Sequence, residues 1–137
     1  MRIVLDTCVL VAALRSSSGA SHVVLRAIRD GKLQMVISVA LFMEYQDVLC
    51  RPNLLPHLTI KEIDTILNAL CLLSREQKVF YTWRPFLQDP DDDRVMELAV
   101  AGKCQYIITQ NIKDFAGADS MGVTVITPSE ALTTLNL

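Results

Sequence analysis

Histidine is scarce in this chain. Only His22 and His57 are present, and neither has a metal-ligand partner at short spacing, which argues against an imidazole-built zinc site. The four cysteines, Cys8, Cys50, Cys71 and Cys104, form no CxxC pair. That removes the usual zinc and dithiol motifs and leaves reduced, mostly buried thiols in a cytosolic protein as the plain reading. Glycine is limited to five residues and makes no phosphate-cradling loop; Ser16-Ser17-Ser18-Gly19 reads as a mobile connection. No apolar run approaches the roughly 20 residues of a membrane helix. The start lacks the basic, then apolar, then small-residue order of a secretory signal, so cytoplasmic residence is expected. Nor is the chain basic. Its net charge of −2 is not that of a general nucleic-acid binder, although bound cations would reverse the local sign.

The 137 residues, 51% of them hydrophobic, suit one domain spanning 1–137 with a sizeable core. Strand-like and helix-like segments alternate. Strands are predicted at Arg2–Leu5, Leu33–Ile37, Val79–Tyr81, Tyr106–Thr109 and Val123–Ile126. Helices are predicted over Cys8–Leu14, from a Ser21 cap to Arg29, and from a Ser38 cap to about Cys50, with Pro52 beyond. A further helix starts at Thr59, with Glu62 at capping-box spacing and Ile63, Ile66, Leu67, Leu70 and Leu73 on one face. Two more run over Asp91–Ala101 and Pro128–Leu135. Such alternation predicts an α/β fold, a parallel sheet covered by helices, with its site beyond the carboxyl ends of the strands.

That rim is where the acids fall. Asp6 closes the run Ile3-Val4-Leu5, Glu44 interrupts an apolar helix, Asp89 and Asp91 to Asp93 precede another, and Asp114 follows the Tyr106 strand. A carboxylate at the end of a buried strand is costly without a positive partner, and several together suit a hard cation such as Mg²⁺ or Mn²⁺. Such an ion would activate water for attack on a phosphodiester. Each residue also has a plainer reading. Asp6 is a natural helix cap, Glu44 a solvated helix residue, Asp91 to Asp93 complements of a helix N-terminus, and Asp114 a turn former. Cys8 has no basic neighbour in sequence to activate it as a nucleophile and reads as a small buried thiol.

Four stretches, taken in order, resemble PIN-domain ribonucleases of the VapC-like branch that act as toxins of toxin–antitoxin systems. They are "MRIVLDTCVLVAAL", "ISVALFMEYQDVLCRP", "DPDDDRVMELAVAGKCQYIITQNIKDF" and "VITPSEAL". The resemblance implies a three-layer fold with about five parallel strands. It also implies a divalent-metal-dependent endoribonuclease that cuts single-stranded RNA to leave a 5′-phosphate and a 3′-hydroxyl. Carried over by position, Asp6, Glu44 and Asp92 match the first three acids, Asp92 standing seven residues before Ala99. Asp89 matches a further acid of this branch. At the fourth position the chain departs from Thr-x-Asp with Thr109-Gln110-Asn111, so Asp114 is the candidate to supply that charge. Asp6, Asp92, Asp114 and Glu44 would then be catalytic and metal-holding, with Thr7 and Thr109 orienting ligands or water.

Arg15, Arg26, Arg29 and Lys32 lie in the less acidic half and are candidate RNA-backbone contacts, or else a solvated helix face. An antitoxin protein and a second copy of the chain are the expected partners, and no membrane is. The alternative is a PIN-like module with a weakened metal site that binds RNA or protein without cutting. A metal-dependent phosphatase would favour an Asp-x-Asp pair, but Asp6 is followed by Thr7-Cys8.

Overall fold

The computed structural model describes residues 1–79 and 90–137. Asp89, and Phe80 and Tyr81 of the predicted third strand, lie outside the described residues. In order, the elements are β1 (Arg2–Leu5), α1 (Thr7–Arg15), α2 (Ala20–Arg29), β2 (Gln34–Ile37), α3 (Val39–Leu49), α4 (Ile60–Leu73), β3 (Arg75–Glu76), α5 (Pro90–Ala101), β4 (Tyr106–Ile108), β5 (Thr124–Ile126) and α6 (Pro128–Thr134). Single 3₁₀ turns at Ile112–Phe115 and Ala118–Met121 join β4 to β5.

The five strands form one parallel sheet in the order β3-β2-β1-β4-β5. Ile3 pairs with Met35 on one side and Tyr106 on the other, which makes β1 the central strand. Ile3, Val4 and Leu5 are fully buried, as a strand covered on both faces requires. Helices α1, α2, α3, α4 and α6 pack against one another, while α5 packs on β1, β2 and β4. α5, which precedes β4, packs on the sheet apart from the group formed by α1, α2, α4 and α6, and completes three layers. Gly102 ends α5 where a side chain would not fit: an added Cβ would stand 2.8 Å from Val36 Cγ1.

Local signals explain most helix ends. Thr59 and Glu62 form the reciprocal capping box at the start of α4, and Thr127 and Glu130 repeat it ahead of Pro128 in α6. Ser38 caps α3 by accepting from the Leu41 N–H. One expectation fails, and one strand lies where none was expected. The cap of α2 is Gly19, not Ser21; Ser21 is buried within the helix and accepts a hydrogen bond from Gln110 Nε2. The third strand is Arg75–Glu76, directly after α4, ahead of the predicted 79–81. Both of its residues are exposed, so it carries no apolar signature. Among the described residues, no single helix is long and apolar enough to cross a membrane.

Candidate active site

Strand order reverses about β1: the chain leaves β1 toward β2 and β3, then returns to place β4 on its other side. The crevice beyond β1 and β4 is thus the switch point at which α/β folds put their sites. Asp6 follows β1 there, and Thr109 follows β4. The Thr109 hydroxyl, fully buried, donates to Asp6 Oδ2 at 2.7 Å. Asp6 Oδ1 accepts the Thr7 N–H at 2.9 Å, so Asp6 also caps α1. Both readings of this residue thus coexist: one oxygen starts the helix and the other faces β4.

Glu44 arrives from α3. Tyr45, its neighbour, is wholly buried and donates its hydroxyl to the Leu5 carbonyl, tying α3 to the end of β1. Glu44 Oε2 accepts from the Thr7 hydroxyl. Thr7 therefore bridges the two acids, through its N–H to Asp6 and its hydroxyl to Glu44. Burial raises the Glu44 carboxyl above its ordinary value, and repulsion from Asp91 and Asp6 adds to this; Thr7 and Arg94 oppose it.

A cleft of about 1200 Å³ opens here. Its walls are α1, α3 with the segment that follows it, and the first turns of α5. Apolar Val11, Met43, Val48 and Leu54 line it beside Thr7 and Glu44, and Arg15, Arg51 and Arg94 stand among them. Arg51 pairs with Asp47 at 3.3 Å, Arg94 with Asp91 at 3.0 Å, and Arg15 donates to the Leu54 carbonyl. Asp47, Arg51 and Arg94 were not singled out from sequence. Helical spacing was the available signal: Glu44, Asp47, Val48 and Arg51 share one face of the chain.

Among the described residues, the α5 carboxylate lining this cleft is Asp91, whereas sequence position favoured Asp92. Asp92 is half-buried in the same turn, and Asp93 and Glu97 are buried. Asp114 stands elsewhere. It is exposed and lines a smaller hollow with Asn111 and Thr127. Its path to Asp6 runs through the backbone: Asp114 N–H to Asn111 O, then Asn111 N–H to the Thr109 hydroxyl. Of the proposed RNA contacts, Arg15 lines the cleft, while Arg26, Arg29 and Lys32 surround a different hollow at the far end of α2.

Cys8 lines the cleft with its thiol 3.6 Å from Asp6 Oδ2 and 3.8 Å from Thr109 Oγ1. Burial first, then the Asp6 charge, push this thiol up. It stays protonated and serves Asp6 as a weak donor, which leaves no role as a thiolate nucleophile.

Among the described residues, no group of three His, Cys, Asp or Glu stands close enough to hold a metal ion. Two oxygen-donor carboxylates, Asp6 and Glu44, are bridged by Thr7. Mg²⁺ commonly binds through one or two carboxylates while keeping several waters, so the donor set fits a hydrated hard cation.

A model of the PIN domain family matches residues 2–113. No curated protein matches the chain. Among solved structures, a chain of "Crystal structure of VapBC2 from Rickettsia felis bound to a DNA fragment from their promoter" aligns at a TM-score of 0.63. The alignment covers 93% of this chain and 98% of that one, at 13% identity. The likeness at that identity is one of fold.

Proposed function

The chain belongs to the PIN-domain family, and from that premise we propose that it is a divalent-metal-dependent endoribonuclease acting on single-stranded RNA, the toxin of a toxin–antitoxin pair. The Asp6–Thr7–Glu44 arrangement at the switch point carries this reading. Asp6 and Glu44 would hold Mg²⁺ or Mn²⁺, with Asp91 or Asp92 contributing from α5 and Asp114 as an outlying fourth acid. When bound, such an ion lowers the pKa of water and offsets charge on the phosphodiester. Thr109 and Thr7 fix the Asp6 carboxylate on both oxygens, so its geometry is set before substrate arrives. Glu44, whose carboxyl takes up a proton more readily than usual, suits the role of accepting one from the attacking water. Arg15, Arg51 and Arg94 would meet phosphate oxygens at the cleft walls.

The family supports a nuclease, and the VapBC2 likeness supports an antitoxin as protein partner. Ile60, Leu72 and Leu73, exposed on α4, support pairing with a second copy. Cytoplasmic residence goes with this reading. Incubation with a panel of unstructured RNAs, with Mg²⁺ or Mn²⁺ and with chelator, tests the proposal. Cleavage should need the ion and should vanish in Asp6→Asn. Ion-independent cleavage, or full activity in Asp6→Asn, would sink it. The second reading, a weakened module that binds without cutting, draws on the neutral Asn111 and on the lack of a three-acid cluster among the described residues. Tight RNA binding without cleavage by any ion would select it.

A further inference from the structure

The early part of the chain is rich in cations. Between Asp6 and Glu44 the chain holds one acid, Asp30, against Arg15, Arg26, Arg29 and Lys32. The parallel topology then separates these cations. Arg15 lines the acidic cleft at the carboxyl end of the sheet. Arg26, Arg29 and Lys32 surround a hollow of about 390 Å³ beside the start of β2, at the opposite end. The four residues of β1 put roughly 13 Å of sheet between the two rims, at about 3.3 Å per residue. All three side chains are exposed. One negative group faces them: Asp30, which also lines the hollow, pairs with Arg29 at 3.1 Å. An exposed pair of this kind contributes little and exchanges readily for a phosphate.

We propose that this hollow is a second phosphodiester-binding site, an anchor for single-stranded RNA whose scissile bond lies in the cleft. The proposal rests on the RNA-cleaving reading for its choice of polyanion. Its physical basis is separate. The cleft sets Glu44, Asp47 and Asp91 against Arg15, Arg51 and Arg94, which leaves a strand little net attraction there in the absence of cations, so association gains from positive charge placed away from those carboxylates. Arg15 at the cleft and Arg26, Arg29 and Lys32 at the hollow would hold the two ends of one strand. Cations also complement the carboxyl end of α2, which a structural role alone would explain. The two explanations differ in their dependence on RNA length.

The experiment measures anisotropy of labelled oligouridine in chelator, with strands of about 4 and about 16 nucleotides, the range one single-strand site covers. The native chain should bind the longer strand more tightly. In Arg26→Ala/Arg29→Ala/Lys32→Ala that length advantage should collapse. The salt slope on the longer strand should fall by about 2, at roughly 0.7 per lost contact. Arg26→Lys/Arg29→Lys keeps the charge and should keep the slope, which separates electrostatics from folding. An unchanged length advantage and slope in the triple variant would overturn the anchor, even if the chain cleaves RNA. Charge-dependent binding of long RNA by a chain that cleaves none would uphold the anchor while removing the nuclease reading. Stronger, equally arginine-dependent binding to duplex DNA of the same length would overturn the assignment to single strands.

Discussion

Thr109→Val tests whether the switch point positions Asp6. The substitution keeps the shape of a fully buried side chain and deletes its hydroxyl. Besides the weak 3.8 Å contact with the Cys8 thiol, two contacts go: the donation to Asp6 Oδ2 at 2.7 Å and the acceptance from the Asn111 N–H at 3.0 Å. A hydrogen bond to a charged group contributes about 1.5–3 kcal/mol. Asp6 Oδ2 retains only the Cys8 thiol at 3.6 Å, while Oδ1 keeps the Thr7 N–H. Asn111 is exposed, so its N–H finds water and the second loss is small. The added methyl returns about 0.8 kcal/mol of apolar burial. The net cost is about 1–2 kcal/mol, or roughly 4–8 °C in Tm for a chain of this size.

Activity should fall further than stability accounts for, by about 10–100-fold, as when a buried partner of a ligand is lost. Thr109→Ser supplies the control. It loses a methyl group, about 0.8 kcal/mol, but keeps the hydroxyl and should retain most cleavage. Melting in chelator and metal-dependent cleavage on the same preparations decide the matter. Native cleavage rates in Thr109→Val, or equal losses in both variants, would show that this hydroxyl does not set the Asp6 carboxylate.

Glu44→Gln should raise Tm at neutral pH in chelator. An acid whose folded pKa is raised costs stability as pH climbs from its unfolded value, near 4.5, through the raised one, so the gain should disappear well below 4.5; a gain constant with pH would refute the burial argument. Mn²⁺ at about 100 times its Kd should stabilise the native chain by about 2.7 kcal/mol, and Asp6→Asn should abolish that shift; persistence of the shift places the ion elsewhere. Asp91→Asn should weaken Mn²⁺ binding in calorimetry more than Asp92→Asn does, because Asp91 lines the cleft; the reverse order would return the assignment to Asp92. Asp114→Asn should leave Mn²⁺ affinity within about threefold, less than 1 kcal/mol, since Asp114 lines the neighbouring hollow; a larger loss would bring that turn into the metal site.

The elements legible in sequence were those with a local physical signature. The capping box at Thr59 and the proline at the first turn of α6 state their own geometry, and β1 is apolar from Ile3 to Leu5 because both its faces are covered. β3 went unread because its two exposed residues join the sheet with no apolar signature. The same limit governs the site. Strand-end position singled out Asp6, and an acid inside an apolar helix singled out Glu44, each from its immediate neighbours. The choice among Asp91, Asp92 and Asp93 had no such basis. Consecutive helix positions differ by about 100° in direction, so only the packing of α5 on the sheet decides which carboxylate meets the cleft. Arg51 and Arg94 stayed hidden for a related reason, since each resembles an ordinary surface partner of an acid one turn away. What turns those pairs toward the cleft is the meeting of α3 and α5 at one rim. That meeting follows from strand order, and strand order is written in no single stretch of the chain.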